Sequence, residues 1–136
     1  MSGQPSPPAA PATNPRLRWL PYVFAAGAIF WLIQMTQFAA WLAAPVGRDQ
    51  FQKTLVNGGI TTDFVTILVV YASIVLTIEA AFVAAHATAF YGMRKWRPWG
   101  WIAAVVVAGG WSLVLLGIPM LVFLLQKPTR QAYGIL

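Results

Sequence analysis

Cysteine is absent from this chain of 136 residues. Its absence excludes disulfides, thiolate metal sites and cysteine catalysis, and it leaves the redox compartment open. Charge is nearly as scarce. Only 9% of residues are charged, against about 25% in a typical soluble domain, so there is too little charge to cover a globular surface. The three acidic residues are Asp49, Asp63 and Glu79, and His86 is the lone histidine. One imidazole, three carboxylates and no thiol supply neither a Ser-His-Asp set with a plausible meeting place nor a metal-ligating cluster. Asn57-Gly58-Gly59 is a turn signal rather than a phosphate-binding loop. The expectation is a protein that is not an enzyme and holds no metal and no cofactor. No internal repeat is evident, so an inverted-repeat transporter would have to arise by self-assembly.

What is abundant is apolar. The chain is 59% hydrophobic with a mean hydropathy of +0.67, enough for several spans of roughly 20 residues each. The expected fold is an all-α membrane protein. Three transmembrane helices, at about 20–44, 64–91 and 99–125, form one domain over 19–126. A disordered proline-rich tail (1–18) precedes it and a short tail (127–136) follows. Five of the ten prolines, Pro5, Pro7, Pro8, Pro11 and Pro15, fall in the N-terminal tail, which has too little apolar surface to offset its ordering entropy. The first apolar run, Leu20 to Ala44, is longer than the roughly 7–15 residues of a signal-peptide core, so it reads as an uncleaved span.

Pro45 ends that span. In the loop that follows, Arg48 to Val56 pairs Asp49 with Lys53 and sets Phe51 and Leu55 on one face. That is the pattern of a short amphipathic helix lying on a membrane surface. Asn57-Gly58-Gly59 stops it, and Thr61, Thr62 and Asp63 offer caps to the next helix. Gly92 with Arg94, Lys95 and Arg97 makes a tight basic turn before Pro98 opens the third helix. Trp96, Trp99 and Trp101 suit the headgroup level, and Pro119 is expected to kink the third span.

The net charge is +6. The nine Lys and Arg residues flank the apolar runs, which points to the lipid bilayer as partner and not to nucleic acid. Five of them, Arg16, Arg18, Arg94, Lys95 and Arg97, lie on the side of the N-terminus. Three spans put the other four, Arg48, Lys53, Lys127 and Arg130, on the opposite side. The expectation is a plasma (inner) membrane protein with its N-terminus cytoplasmic and its C-terminus outside.

Glu79 lies near the middle of the second span, about 24 Å along the helix from Asp63 and about 22 Å from Arg94. A charged carboxylate at that depth costs roughly 2.5–3.5 kcal/mol. His86 follows seven residues later, about 10.5 Å along the same face, so direct hydrogen bonding is out of reach. Gln34, Gln37 or Tyr71 are the candidates by type to bridge them. With the first span as the obvious source, Glu79 and His86 would face Gln34 and Gln37 in a polar track, as a proton relay or ligand site. Stripes of small residues permit close helix packing: Ala25, Ala28, Thr36, Ala39 and Ala43 on the first span, and Thr66, Ser73, Thr77, Ala81, Ala84 and Thr88 on the second. On the third, Ala103, Gly110 and Gly117 are spaced by seven. The function expected is a non-enzymatic accessory or scaffold subunit of a membrane assembly, partnered by other membrane subunits or by its own copies. The alternative is an oligomeric channel or transporter, for protons or a small solute, that uses Glu79 and His86.

Val83-Ala84-Ala85-His86-Ala87, followed by Trp96-Arg97-Pro98-Trp99, resembles the end of light-harvesting beta polypeptides, where an Ala-His precedes a Trp-Arg-Pro-Trp. That resemblance implies a pigment metal held by His86. It covers two short stretches, the gap from His to Trp is longer here, and those polypeptides cross the membrane once.

Overall fold

A computed structural model describes residues 17–135. Of the tail expected over residues 1–18, residues 1–16 lie outside the described residues, and Leu17 is buried in the fold. The described chain is helical, with no strand among its residues. The elements are α1 (Leu20–Ala43), α2 (Pro45–Asn57), α3 (Phe64–Arg94), α4 (Pro98–Ser112), α5 (Gly117–Leu125) and α6 (Lys127–Ala132).

The boundaries have local causes. Pro45 and Pro98 open α2 and α4, where a missing N–H costs nothing and φ is already helical. Helix α2 ends in a Schellman motif. Gly59 sits at φ +83, its N–H bonds the Val56 carbonyl, and the Ile60 N–H bonds Leu55, each at 2.9 Å. Helix α3 ends the same way without a glycine. Trp96 takes φ +54, and the N–H groups of Trp96 and Arg97 bond the Met93 and Gly92 carbonyls. A left-handed tryptophan costs roughly 1–2 kcal/mol, which its stacking on Tyr133, with ring centroids 5.0 Å apart, helps to offset.

Among the described residues, two helices are long and apolar enough to cross a membrane. Helix α1 has 24 residues and α3 has 31, about 36 and 46 Å against a hydrocarbon core of about 30 Å. The third apolar run departs from the expectation. It is not one kinked helix from 99 to 125. Helix α4 stops at Ser112 after 15 residues, Leu113 to Leu116 form turns, and α5 adds only nine. Neither piece, at about 22 and 14 Å, spans the core. The break precedes Pro119, which sits harmlessly in the first turn of α5. It occurs where Leu115 takes φ +66 and where Gly117 lies against the α4 backbone. A Cβ on Gly117 would overlap the Ala108 carbonyl oxygen and the Ser112 nitrogen. The pieces form a hairpin, tied by the Trp101 indole N–H donating to the Leu124 carbonyl at 2.9 Å. Ala103, Gly110 and Gly117 therefore do not form one helical seam.

The described residues divide into two compact units, 25–87 and 17–24 with 88–135. In the first, α1 and α3 run antiparallel. Trp31 stacks on Phe82 with centroids 4.5 Å apart at 11°, and Phe38 meets Tyr71 edge-on at 6.0 Å. Phe51 anchors α2 against Phe64 and Tyr71. Only Gly47 and His86 are buried in this unit, because two helices cannot enclose a core. The second unit holds the buried apolar residues: Leu17, Leu20, Phe24, Ala89, Met93, Ala104, Val107, Ala108, Leu124 and Tyr133.

Tyr133 closes that core at 1% exposure. Its hydroxyl is buried with no hydrogen-bond partner among the described residues, and burial pushes its pKa up to about 12. An unmade buried hydrogen bond costs roughly 1–3 kcal/mol. Tyr133→Phe keeps the stack on Trp96 and is expected to raise the melting temperature of the detergent-solubilised chain. The pH dependence has a definite sign. A phenol whose folded pKa is raised stabilises the fold below pH 10 and loses that contribution as the pH climbs toward 12. The parent melts should fall across pH 10–12, and the variant's should lack that component.

Candidate functional site

The ionisable residues of the spans lie on the face of α3 that packs on α1. Among the α3 residues withdrawn from solvent, Leu68, Ala72, Val75, Glu79, Val83 and His86 form a heptad-like stripe. On α1 the matching stripe is Gly27, Ala28, Trp31, Met35, Phe38 and Leu42.

His86 is 2% exposed. Its Nδ1 lies 2.7 Å from the Phe82 carbonyl of the preceding turn. A carbonyl only accepts, so Nδ1 carries the proton in that bond. The opposite edge of the ring lies against α1. A Cβ on Gly27 would overlap Cδ2 and come within 2.8 Å of Nε2. Glycine at 27 is thus what admits the imidazole, and this packing partner went unread in the sequence. Its available signal was a glycine inside an otherwise alanine-rich turn, Ala25-Ala26-Gly27-Ala28. The same contact bears on the pigment resemblance. With Nδ1 bonded to its own helix and the Nε2 edge against the α1 backbone, the surroundings of His86 do not fit a ligand to a bulky pigment metal.

Glu79 is half-buried, and its Oε2 is buried with no hydrogen-bond partner among the described residues. Phe82 lies between it and His86, about one turn from each, and Phe82 is stacked on Trp31. An aromatic pair therefore fills the level between the two ionisable groups. Gln34 and Gln37 are both exposed. They fall outside the α1 stripe, whose residue near that level is Met35. The structure thus brings His86 together with Gly27 and Phe82, leaves Glu79 alone on the same face, and sets the two glutamines elsewhere on α1. Among the described residues no group of His, Asp or Glu is placed to hold a metal ion.

Outside this face, charge is sharply partitioned. The unit of 17–24 with 88–135 carries Arg18, Arg94, Lys95, Arg97, Lys127 and Arg130 and no acidic side chain. The unit of 25–87 carries Arg48 and Lys53 with all three acids, Asp49, Asp63 and Glu79. The small-residue stripe of α3 is equally one-sided. Thr66, Ser73, Thr77, Ala81 and Ala84 are all exposed, and the Thr77 hydroxyl donates back to the Ser73 carbonyl at 2.6 Å. Comparison with protein-family models, with curated proteins and with solved structures finds no match.

Proposed function

We propose that this chain is a non-enzymatic accessory or scaffold subunit of a membrane assembly, crossing the plasma (inner) membrane twice, with α1 and α3. The outward small-residue face of α3 carries the reading. Thr66, Ser73, Thr77, Ala81 and Ala84 are all exposed among the described residues, and small residues in lipid mark where a second helix approaches closely. The hydroxyl of Thr77 is satisfied by its own helix. His86 supports the same reading, because its ring is consumed in locking α3 to Gly27 of α1.

Both termini belong on the cytoplasmic side in this proposal. The expected outside position of the C-terminus rested on a third span. With α4 and α5 folded as a hairpin, α6 lies in the same unit as residues 17–24. Arg16 included, seven Lys and Arg residues then face the cytoplasm, against Arg48 and Lys53 outside. A five-to-four margin becomes seven to two, the usual asymmetry of an inner-membrane protein.

Ala81→Leu with Ala84→Leu tests the partner face. Both positions are exposed, so the monomer's melting temperature is expected to stay within about 1 °C of the parent. The protein co-purifying in mild detergent, or the dimer trapped by a Ser73→Cys crosslink in this cysteine-free chain, is expected to disappear. Proton flux in liposomes that Glu79→Gln abolishes without loss of stability would replace this reading with the transporter one.

A further inference from the structure

We infer that the cleft between the start of α1 and the end of α3 is a binding site for the phosphate headgroup of an anionic phospholipid. The site rests on the membrane placement proposed above and not on the accessory role. It is a cavity of about 140 Å³ lined by Leu17, Arg18, Pro21, Tyr22, Met93, Arg94 and Trp96. At roughly 30 Å³ per water in the liquid, that admits a phosphate and its ester oxygens but not a whole lipid.

Its lining has the layout of a headgroup site. Leu17, Pro21 and Met93 are buried and form an apolar floor. Arg18 and Arg94 are exposed at its edge, and no acidic side chain exists anywhere in 1–24 or 88–136 to neutralise them. Two arginines lining one cavity favour an anion there, and the planar fork of arginine matches phosphate oxygens two at a time. Arg94 is held in place from below, its guanidinium carbon 6.0 Å from the centre of the Phe90 ring, and Phe90 in turn touches Tyr22 at 6.1 Å. Trp96 forms another wall, braced by its stack on Tyr133. Tyr and Trp are the side chains that settle at the headgroup level. Lys95, Arg97, Lys127 and Arg130 in the same unit supply the field that draws anionic lipid to the surface.

The test uses the full chain in zwitterionic detergent micelles, titrated with dioleoyl-phosphatidylglycerol, dioleoyl-phosphatidylcholine or inorganic phosphate. Native mass spectrometry and thermal melts are the readouts. One phosphatidylglycerol is expected to stay on each chain and to raise its melting temperature saturably, with phosphatidylcholine and millimolar phosphate without effect. Arg18→Gln with Arg94→Gln is expected to weaken retention about tenfold or more. Lys95→Gln with Lys127→Gln removes the same charge from side chains that do not line the cavity and should weaken it less than about twofold. Melts without lipid confirm that both pairs fold. Equal weakening by the two pairs would mean diffuse surface attraction and overturn the site. Equal retention of phosphatidylcholine, or equal protection by inorganic phosphate, would overturn the anionic-lipid assignment. These outcomes do not depend on any protein partner, so the accessory reading stands or falls separately.

Discussion

Gly100→Ala is expected to be among the most damaging single-methyl changes in the chain. Gly92 in the last turns of α3 and Gly100 in the first turn of α4 approach backbone to backbone. A Cβ on Gly100 would overlap the Gly92 Cα and carbonyl carbon and the Met93 nitrogen, and a Cβ on Gly92 would overlap the Gly100 Cα and the Trp99 ring. Flexible side chains move aside cheaply, but a helix backbone does not. Overpacking costs typically 1–3 kcal/mol, and a backbone obstruction belongs at or above the upper end. Here the two helices also share the short Arg94–Arg97 turn, so they cannot slide apart without disturbing the Schellman motif that sets Trp96. Gly109 and Gly110 of α4 provide the internal control. A Cβ at either meets nothing within 4 Å, and alanine is better than glycine in a helix by up to about 1 kcal/mol. Melts of the four alanine variants in one detergent should fall steeply for 92 and 100 and hold or rise for 109 and 110. A mild effect at 100 would show that α3 and α4 do not cross at this point.

The second large effect lies at the tip of the α4–α5 hairpin, and here two substitutions are expected to act with opposite signs. Gly117→Ala places a methyl on the Ala108 carbonyl and the Ser112 nitrogen. The hairpin then opens and loses the Trp101–Leu124 bond, at a cost of about 1–3 kcal/mol. Leu115→Gly relieves a left-handed leucine, at φ +66, and is expected to stabilise by about 1 kcal/mol. A continuous third span reverses both signs. Gly117→Ala would then improve helix propensity and Leu115→Gly would weaken it, each by up to about 1 kcal/mol. Thermal melts of the two variants decide between the architectures. Cysteines placed singly at Thr13 and Gln131 of the cysteine-free chain report the consequence. A membrane-impermeant maleimide should label both from the same side of sealed vesicles.

Much of the architecture was legible in the residues. The boundaries of α1 and α3 and the short helix inside the 46–63 loop follow from apolar run length, Pro45, and the Asn57-Gly58-Gly59 stop. These signals are local, and each acts within a turn or two of where it is written. Glu79 and His86 were legible as the ionisable groups of the spans for the same reason. What they touch was not, because a helical wheel assigns a face to a residue and not an opposite number. The wheel sets Gln34 and Gln37 on one side of α1 with Phe30, Phe38 and Trp41, yet of these only Phe38 belongs to the stripe that meets α3, which runs through Gly27, Trp31, Met35 and Phe38. Volume chose it. Gly27 alone makes room for an imidazole, and Trp31 stacks flat on Phe82.

The apolar composition, the two long helices and the flanking of those helices by basic charge were settled by the sequence itself, since each depends on how many residues of one kind follow one another. The fate of the third apolar run was decided in three dimensions. Leu113-Val114-Leu115-Leu116 contains no breaker, and nothing local asks a leucine to turn left-handed. The turn exists because Gly117 seats against the backbone of Ala108 to Ser112 while Trp101 caps the far end of α5 at Leu124, a pairing across 23 residues. That fold-back keeps α4, α5 and α6 in one unit with residues 17–24, and the basic residues of that unit have no acid among them.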